Sequence, residues 1–430
     1  MRVWPRRNRI GVLLGAVSVL AACSTTPAPA PQPASPPPAQ PTADLVPVTV
    51  QVEPGLAQEP FDEPRQALVP EGWTLSVWAR VPTARLAAWA PDGALLISVP
   101  SAGQVLHLRP TATQPRETVL LDGLDQPHGL AFDGDRLYVA ESDQVDVYDY
   151  ADGTASNRRT VVADLPDAES ADLRGAYAHA LKSVAVGRDG AVYFSIGSTG
   201  NISAADRDAD PPRATIMRVP PGGGAAVPFA TGVRNGTGLA VAPDGALWTA
   251  VNGRDNVANP ATGEVEKEYV NDHPPEQVAK LTEGRELGWP YCNSDGGPAD
   301  LPFIRDVQTN ADGSRLDCAA LAPVEQSLGA HAAPLGMSFT EGVLPAPFDS
   351  GALIGVHGSW NREPPQPPEV AFFGWRNGDL KDRQTLAGGF QADDGSRWGR
   401  PVAAVAGPDG AVYITDDYAD AVYRLAPPGR

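Results

Sequence analysis

The sequence predicts an all-β fold, and within that class a six-bladed β-propeller. One short unit recurs, an Asp-Gly pair followed by a five-residue apolar strand, at Asp92, Asp189, Asp244 and Asp409. Two looser copies, RLYVA (136–140) and GALIG (351–355), bring the number to six. A tight Asp-Gly turn that opens a short strand is typical of a β-hairpin. Repeated four-stranded units of this length close into a propeller around a central channel.

The repeats divide residues 70–430 into blades within one continuous domain. The predicted blades, in chain order, centre on 86–109, 128–150, 181–230 (with an insertion near 200–213), 236–282, 334–375 and 400–426. A long excursion, 283–330, is assigned to the fifth blade, ahead of its main strands. The early segment from Trp73 to Trp78 is expected to pair with the last sheet, because closing the ring removes an exposed edge.

The first 66 residues predict export and a membrane anchor. Residues 1–22 contain four arginines and a short apolar run, as in a signal peptide, and end Leu20-Ala21-Ala22 before Cys23. This ending resembles a bacterial lipoprotein processing site, so Cys23 is the expected lipidation site; an ordinary signal with an incidental cysteine is the alternative. Residues 23–66 are expected to form a linker, rich in Pro and Ala up to about Thr42. The predicted location is the periplasmic side of a membrane, the outer membrane if Ser24 acts as a sorting signal.

Charge and cysteine content exclude some functions. The formal net charge is −19, and no basic stripe with interleaved aromatics offsets it, so nucleic acid binding is not expected. Cys292 and Cys318 are most simply a disulfide in an exported protein, worth about 3 kcal/mol. Two cysteines alone are too few ligands for a structural metal.

Basic residues recur at one phase of the repeat. The strand before each Asp-Gly turn is expected to be the innermost of its blade, so that the starts of these strands meet at one mouth of the channel. The residues at or near these starts are His128, His179, Arg234, His331 and Arg400. Any one of them could be a solvated loop residue, but the set predicts a binding site at this mouth.

These side chains suit the binding of an anion and the transfer of a proton. His179 is a candidate general base, because an imidazole is half-neutral close to physiological pH. Arg234, with Lys182 and Arg400 at similar phase, favours planar recognition of an anionic ligand. The sequence has no nucleotide-binding glycine motif, no nucleophile elbow and no HExxH zinc motif, which disfavours those classes of enzyme.

Several longer stretches resemble the pyrroloquinoline-quinone (PQQ)-dependent glucose/sorbosone dehydrogenases, most closely the sorbosone dehydrogenase branch. They include the segment after His179, GVRNGTGLA (232–240), GWPYC (288–292), HGSWNR (357–362) and WGRPV (398–402) with Asp416-Asp417. The resemblance runs from about His128 to the C-terminus. It implies a six-bladed propeller that holds PQQ and Ca²⁺ and oxidises a sugar.

The resemblance also implies roles for individual residues. His179 would take the proton of the substrate hydroxyl while hydride passes to the quinone, and Arg234 and Asn235 would lie against the cofactor. Ca²⁺ would lie near the carbonyls of Gly253 and Arg254, with Asp255 or Asp272 assisting. Electrons would leave to a periplasmic acceptor.

The chain departs from the family pattern at two places. Ala180-Leu181-Lys182 stands where the branch usually has Trp-Thr-Arg. The quinone-binding lysine of the soluble glucose dehydrogenases has no clear counterpart, so His357 and Arg362 become candidate cofactor contacts, together with His128, Lys182 and Arg400. Two other hypotheses remain open: a Ca²⁺-dependent lactonase-type propeller, and a non-catalytic propeller that binds a sugar or a protein.

Overall fold

A computed structural model describes residues 43–429, apart from Asp172 and Arg174. The predicted signal peptide, the lipidation site at Cys23 and the Pro/Ala-rich part of the linker lie outside the described residues. Within the described part, no helix is long and apolar enough to cross a membrane.

Within the described residues, the regular structure consists of thirty strands, one short α-helix and four 3-10 helices of three residues each. The N-terminal strands are β1 (Leu45–Thr49), β2 (Gln66–Pro70) and β3 (Thr74–Arg80). Blade one contains β4 (Ala87–Trp89), β5 (Leu95–Val99), β6 (Gln104–Arg109) and β7 (Arg116–Leu121). Blade two contains β8 (Gly129–Asp133), β9 (Arg136–Ala140), β10 (Val145–Ala151) and β11 (Thr154–Val162). Blade three contains β12 (Val184–Val186), β13 (Val192–Ile196), β14 (Thr215–Val219) and β15 (Val227–Thr231).

The remaining blades follow the same order, with one interruption. Blade four and its insertion contain β16 (Gly238–Val241), β17 (Leu247–Val251), α1 (Lys267–Asp272), β18 (Pro275–Leu281), β19 (Arg285–Glu286), β20 (Cys292–Ser294), β21 (Ala299–Leu301), β22 (Phe303–Arg305) and β23 (Val324–Ala330). Blade five contains β24 (Pro334–Glu341), β25 (Ser350–Val356), β26 (Glu369–Arg376) and β27 (Asp379–Ala387). Blade six contains β28 (Pro401–Ala406), β29 (Val412–Asp416) and β30 (Ala421–Ala426).

The six sheets form a closed ring, which confirms the predicted fold. Each innermost strand contacts the next, in the order β4, β8, β12, β16, β24, β28 and back to β4. β3 pairs with β30 as the fourth strand of blade six, as the sequence predicts. The innermost strands approach closely: a Cβ on Gly129 in β8 would come 2.6 Å from the backbone nitrogen of Val184 in β12. Only glycine allows that approach.

The long excursion belongs to blade four, not to blade five as the sequence predicts. Its last strand, β23, pairs with β18 as the fourth main strand of blade four. Inside the excursion, β21 extends the same sheet, β20 pairs with β22, and β19 adds to blade three. The partner of β18 is distant in sequence and no hairpin turn announces it, so local turn chemistry could not reveal the pairing.

Residues 43–66 are folded onto the propeller, whereas the sequence predicts a linker. β1 and β2 form an antiparallel pair, and Leu68 in β2 exchanges backbone hydrogen bonds with Gly388. Phe61 is buried and makes edge contacts with Trp398 and Tyr423, with ring centroids 6.3 and 6.0 Å apart. Burial of a few apolar side chains is enough to fix this segment against blades five and six.

Candidate functional site

Every innermost strand begins just after a basic residue or a segment containing one. Arg85 precedes β4, His128 precedes β8, Arg234 precedes β16, His331 precedes β24 and Arg400 precedes β28. His179 lies in the segment that leads to β12. The contacts described below join these residues from blade to blade, so they surround one mouth of the channel.

His179 is held in one orientation by Ser198. Its Nδ1 lies 2.9 Å from both the carbonyl oxygen and the Oγ of Ser198. The Ser198 hydroxyl donates its proton to the Gly200 carbonyl at 2.7 Å, so both Ser198 oxygens act as acceptors. Nδ1 therefore carries the imidazole proton, and Nε2 is the basic nitrogen. Nε2 makes no hydrogen bond to any residue that the structure describes.

The surroundings keep His179 neutral. Burial, reinforced by repulsion from Arg234, lowers the pKa of His179 to about 4. Gly197 lies against the Cβ and the carbonyl oxygen of His179: a Cβ on Gly197 would come 2.6 Å from His179 Cβ and 3.1 Å from Asn235 Oδ1. His179 and Asn235 therefore both contact Gly197. The neutral imidazole of His179 lies close to the positively charged guanidinium of Arg234.

The guanidinium of Arg234 is buried and bound mainly to uncharged oxygens. Nη1 donates to the Asn252 carbonyl at 3.1 Å and lies 3.4 Å from Asn252 Oδ1, while Nη2 donates to Asn201 Oδ1 at 3.2 Å. The closest carboxylate oxygen, Asp255 Oδ2, is 3.8 Å from Nη2. Nε is buried and has no partner among the described residues. Burial lowers the pKa of Arg234, which favours a bound anion that would compensate the charge.

Asp255 lies at the centre of a polar network between blades three, four and five. Asn361 donates to Asp255 Oδ1 at 3.3 Å, and His331 Nδ1 is 3.4 Å from the same oxygen. Glu276 is buried below and accepts the backbone N–H of Gly253 at 2.5 Å. Burial raises the pKa of Glu276 to about 7.

A second cluster occupies the part of the mouth formed by blades one, two, five and six. His357 Nε2 is 2.7 Å from Asp417 Oδ1, and Arg85 donates to Asp417 Oδ2 at 2.6 Å. Burial would raise the pKa of Asp417, but His357 and Arg85 together lower it to about 2. Arg400 donates to the carbonyl oxygens of His357 at 2.9 Å and Gly358 at 3.4 Å.

His128 lies below this cluster, in a fully buried position. Its Nδ1 is 3.1 Å from the Lys182 carbonyl oxygen, and its Nε2 has no partner among the described residues. Burial, and then repulsion by Arg85, lower the pKa of His128 to about 3. The imidazole is therefore neutral in the folded protein.

Two other predicted cofactor contacts are engaged elsewhere. Lys182 is 0% exposed, and its ammonium donates to the carbonyls of Pro166 at 2.8 Å and Ala180 at 2.5 Å. A ligand at the mouth therefore cannot reach it in this structure. Arg362 donates to the Asn271 carbonyl at 2.8 Å, at the end of α1, and to the Pro364 carbonyl at 3.2 Å. Both side chains fix loops that border the site.

The predicted metal residues separate into two groups. Gly253 and Asp255 lie beside Arg234, as described above. Arg254 instead points into the insertion, where it pairs with Asp306 and donates to Gln308 at 2.6 Å. Asp272 is 69% exposed and lies 3.4 Å from Arg362. Across residues 43–429, apart from the two undescribed positions, no group of three or more His, Cys, Asp or Glu side chains is arranged to hold a metal.

The sequence analysis missed several residues of the site. Arg85 has the same place in blade one as Arg234 has in blade four, but only seven residues separate it from Asp92. Asn201, Ser198 and Glu276 lie outside the repeated phase, so periodicity could not select them. Cys292 and Cys318 form a disulfide in the structure, at the base of the insertion.

Comparison with known proteins agrees with the six-bladed propeller fold. Residues 67–427 match the TrAA12-like family. The chain belongs to that family. At the level of the family, this match confirms the resemblance to PQQ-dependent sugar dehydrogenases that was inferred from the sequence.

Two curated relatives match over part of their length. A pyrroloquinoline quinone-dependent pyranose dehydrogenase from Coprinopsis cinerea is 28% identical over 248 residues, which cover 51% of this chain and 32% of that protein. An uncharacterised protein from Borreliella burgdorferi is 27% identical over 201 residues, 46% of this chain and 48% of that one. The chain thus spans about a third to a half of the curated relatives that it matches.

Solved structures share the fold over nearly the whole propeller. The holo form of the PQQ domain of pyranose dehydrogenase from Coprinopsis cinerea superposes with a TM-score of 0.71 and 21% identity, covering 87% of this chain and 100% of that one. A calcium structure of a family AA12 enzyme from Trichoderma reesei gives a TM-score of 0.68 at 19% identity, covering 84% and 96%. The PQQ-bound aldose sugar dehydrogenase of Streptomyces coelicolor gives 0.54 at 16% identity, covering 83% and 99%.

Proposed function

We propose that this protein is a quinoprotein dehydrogenase that oxidises a sugar hydroxyl or aldehyde with PQQ as its cofactor. One observation carries the proposal. A neutral imidazole, His179, lies next to a buried guanidinium, Arg234, that hydrogen-bonds only to uncharged oxygens among the described residues. A dehydrogenase of this class needs that combination: a base for the substrate proton and a cation for the anionic cofactor.

The mouth fits a planar anion with several carboxylates. Among the described residues, the Arg400 guanidinium donates only to carbonyl oxygens, and Arg397 donates to the Ser359 carbonyl at 2.5 Å and to Gln391 Oε1 at 2.7 Å. Burial and mutual repulsion lower the pKa of Arg400. These guanidinium groups, together with that of Arg234, whose Nε has no partner among the residues that the structure describes, offer planar donors around a ring. PQQ is a planar tricarboxylate, so its charge matches this donor set.

The chain's own residues define the catalytic steps. Bound PQQ would supply a carbonyl carbon that accepts hydride. His179 Nε2 would take the proton of the substrate hydroxyl, because Ser198 keeps the other nitrogen protonated. Arg234 and Asn235 would hold negative charge that develops on the cofactor oxygen. The hydrogen bonding of Nδ1 to Ser198 keeps the imidazole in this orientation.

Calcium is part of the proposal, with a donor set near Asp255. The expected ligands are the Asp255 carboxylate and the carbonyl oxygens of Gly253 and Arg254, because Ca²⁺ prefers oxygen ligands. Asn361 Oδ1 is buried, lies on the amide that contacts Asp255, and has no hydrogen-bond partner among the described residues. Bound Ca²⁺ would supply Lewis acidity at the cofactor. Asp272 is too exposed and too closely associated with Arg362 to support the proposal.

We also propose that the protein works on the periplasmic side of a membrane, held by lipid on Cys23. The support is the sequence of residues 1–23 alone. Electrons would pass from the reduced cofactor to an acceptor outside this chain. A sugar of the sorbosone or aldose type is the expected substrate.

A two-stage assay tests the proposed function. Purified protein is titrated with PQQ in the presence of CaCl₂ while the quinone absorbance is recorded, and the loaded protein is then given a panel of aldoses with a redox dye. The proposal predicts saturable binding and dye reduction driven by at least one sugar. Binding without turnover would favour a non-catalytic module, and absence of binding would favour the lactonase-type hypothesis.

A further inference from the structure

Asn201 uses every polar atom of its side chain to join two loops of the site. It lies in the long loop between β13 and β14 of blade three. Its Oδ1 accepts from Arg234 Nη2 at 3.2 Å and from the backbone N–H of Asp255 at 2.8 Å. Its Nδ2 donates to the Asp255 carbonyl at 2.8 Å. The amide thus pairs with the backbone of Asp255 on both sides and still accepts from the guanidinium.

The insertion of blade four holds Asn201 in this position. The Trp289 indole N–H donates to the Asn201 carbonyl at 3.2 Å. The Trp289 carbonyl accepts from Arg207 at 2.9 Å, and Arg207 pairs with Glu286 at 2.6 Å. Trp289 is buried, at 4% exposure, so its ring cannot turn without opening this packing. The GWPYC stretch is therefore linked to Asn201 by the hydrogen bond of the Trp289 indole.

The position of Asn201 determines which oxygen accepts a hydrogen bond from Arg234 Nη2. In the described part of the chain, Nη2 has one close acceptor, Asn201 Oδ1, and Asp255 Oδ2 is 3.8 Å away. An arginine beside a carboxylate frequently forms a bidentate ion pair. Such a pair would cancel the charge that an anionic ligand needs. Asn201 prevents the closure by holding the Asp255 backbone and occupying Nη2 at once.

We propose that Asn201 is a positioning residue that keeps Arg234 from closing into a hydrogen-bonded ion pair with Asp255, so that the guanidinium remains available to an anionic ligand. The inference rests on the proposed function only for the identity of that ligand. Removal of the amide would let Arg234 move onto Asp255.

Two measurements test the inference on Asn201→Ala, with Ile202→Ala, an exposed neighbour in the same segment, as the matched control. The first is a nuclear magnetic resonance titration of the His179 ring with no quinone present, assigned with a His179→Gln variant. Arg234 lowers the pKa of His179 by repulsion, so its pairing with Asp255 should raise that pKa in Asn201→Ala. Ile202→Ala should titrate like the wild type.

The second measurement is the affinity for PQQ, followed by absorbance. Loss of one charge-assisted contact corresponds to about a tenfold weaker affinity for Asn201→Ala. Asn201→Asp is isosteric and keeps the acceptor, yet it places a carboxylate on Arg234, so it should bind PQQ more weakly than the alanine variant. If Asn201 had only a structural role, the isosteric Asn201→Asp variant should instead bind PQQ more tightly than Asn201→Ala. Asn201→Asp also serves if the alanine variant does not fold.

The possible outcomes separate this inference from the proposed function. Failure of the wild type to bind PQQ would overturn the proposed function, while the histidine titration would still test Asn201. An unchanged His179 titration together with an unchanged PQQ affinity in Asn201→Ala would overturn the positioning role.

Discussion

His179 and Arg234 are joined through a single residue, Ser198. The Ser198 carbonyl oxygen lies 2.9 Å from His179 Nδ1, and the Ser198 N–H donates to the Arg234 carbonyl at 2.8 Å. The proposed base of blade three and the proposed cofactor contact of blade four thus share one backbone connection. Any substitution that shifts Ser198 should disturb proton transfer and anion binding together.

Replacement of the proposed base should separate turnover from binding. His179→Ala removes the only imidazole that we assign to the substrate proton, so turnover should fall by about 10²–10⁴ while PQQ affinity stays near the wild-type value. Dye reduction and quinone titration measure the two effects. His273→Ala is the control, because His273 lies in the loop after α1, 3.5 Å from Asp295. Undiminished turnover in His179→Ala would remove the imidazole from the mechanism.

Loss of the Arg234 charge should instead weaken cofactor binding. Arg234→Met keeps an unbranched stem but removes the guanidinium, and hydrogen bonds to a charged group contribute about 1.5–3 kcal/mol. The affinity for PQQ should therefore fall by about 10- to 100-fold in an absorbance titration. Arg218→Met, at a surface pair with Asp189, should have no such effect. Equal affinities for the two variants would argue against the proposed cofactor contact.

Acid should destabilise the fold through His128. Its pKa in the folded protein is lowered to about 3 by burial and by Arg85, against an ordinary value of 6.5. Between these values the unfolded chain binds the proton more tightly, so stability falls as the pH drops below 6.5. At about pH 4.5 this site should cost about 2.5 kcal/mol relative to about pH 7.

Other buried groups also titrate between about pH 4.5 and about pH 7. The prediction therefore concerns the difference in pH dependence between the wild type and a variant that lacks His128. Urea unfolding of the wild type and of His128→Gln at both pH values isolates the contribution of His128. The free energy of unfolding should depend less on pH in the variant. Parallel pH dependence in the two proteins would contradict the assignment of a neutral buried imidazole.

The disulfide should stabilise the insertion of blade four. Cys292 and Cys318 are separated by 26 residues, and opening a loop of that size costs about 3 kcal/mol of unfolding free energy. The double variant Cys292→Ala, Cys318→Ala should unfold at a lower urea concentration than the oxidised wild type. The reduced wild type should resemble the double variant. Identical unfolding midpoints for all three samples would show that the bond adds no stability.

The sequence predicts the ring and its mouth because both depend on local, repeated chemistry. The Asp-Gly turns mark the hairpins, and the phase of the repeat selects His128, Arg234, His331 and Arg400 at the starts of innermost strands. Phase fixes the position of a residue along a strand. It does not fix the direction of a long side chain in a loop.

The sequence-based predictions that were wrong or incomplete concern side-chain direction and packing between distant segments. Lys182 has the expected place before β12, yet its ammonium turns inward to two carbonyls and to the face of Tyr177, 5.0 Å from the ring centroid. The pairing of β23 with β18 and the role of Asn201 depend on packing between segments that are far apart in sequence. No single repeat contains that information, so a single sequence could not reveal it.

The location of bound PQQ tests the central claim most directly. A crystal structure of the protein grown with PQQ and CaCl₂ would show which side chains contact the quinone. We predict electron density for the quinone within hydrogen-bonding distance of Arg234 and beside His179 Nε2. Density at another part of the propeller, or an unoccupied mouth in crystals of protein saturated with PQQ, would contradict the account.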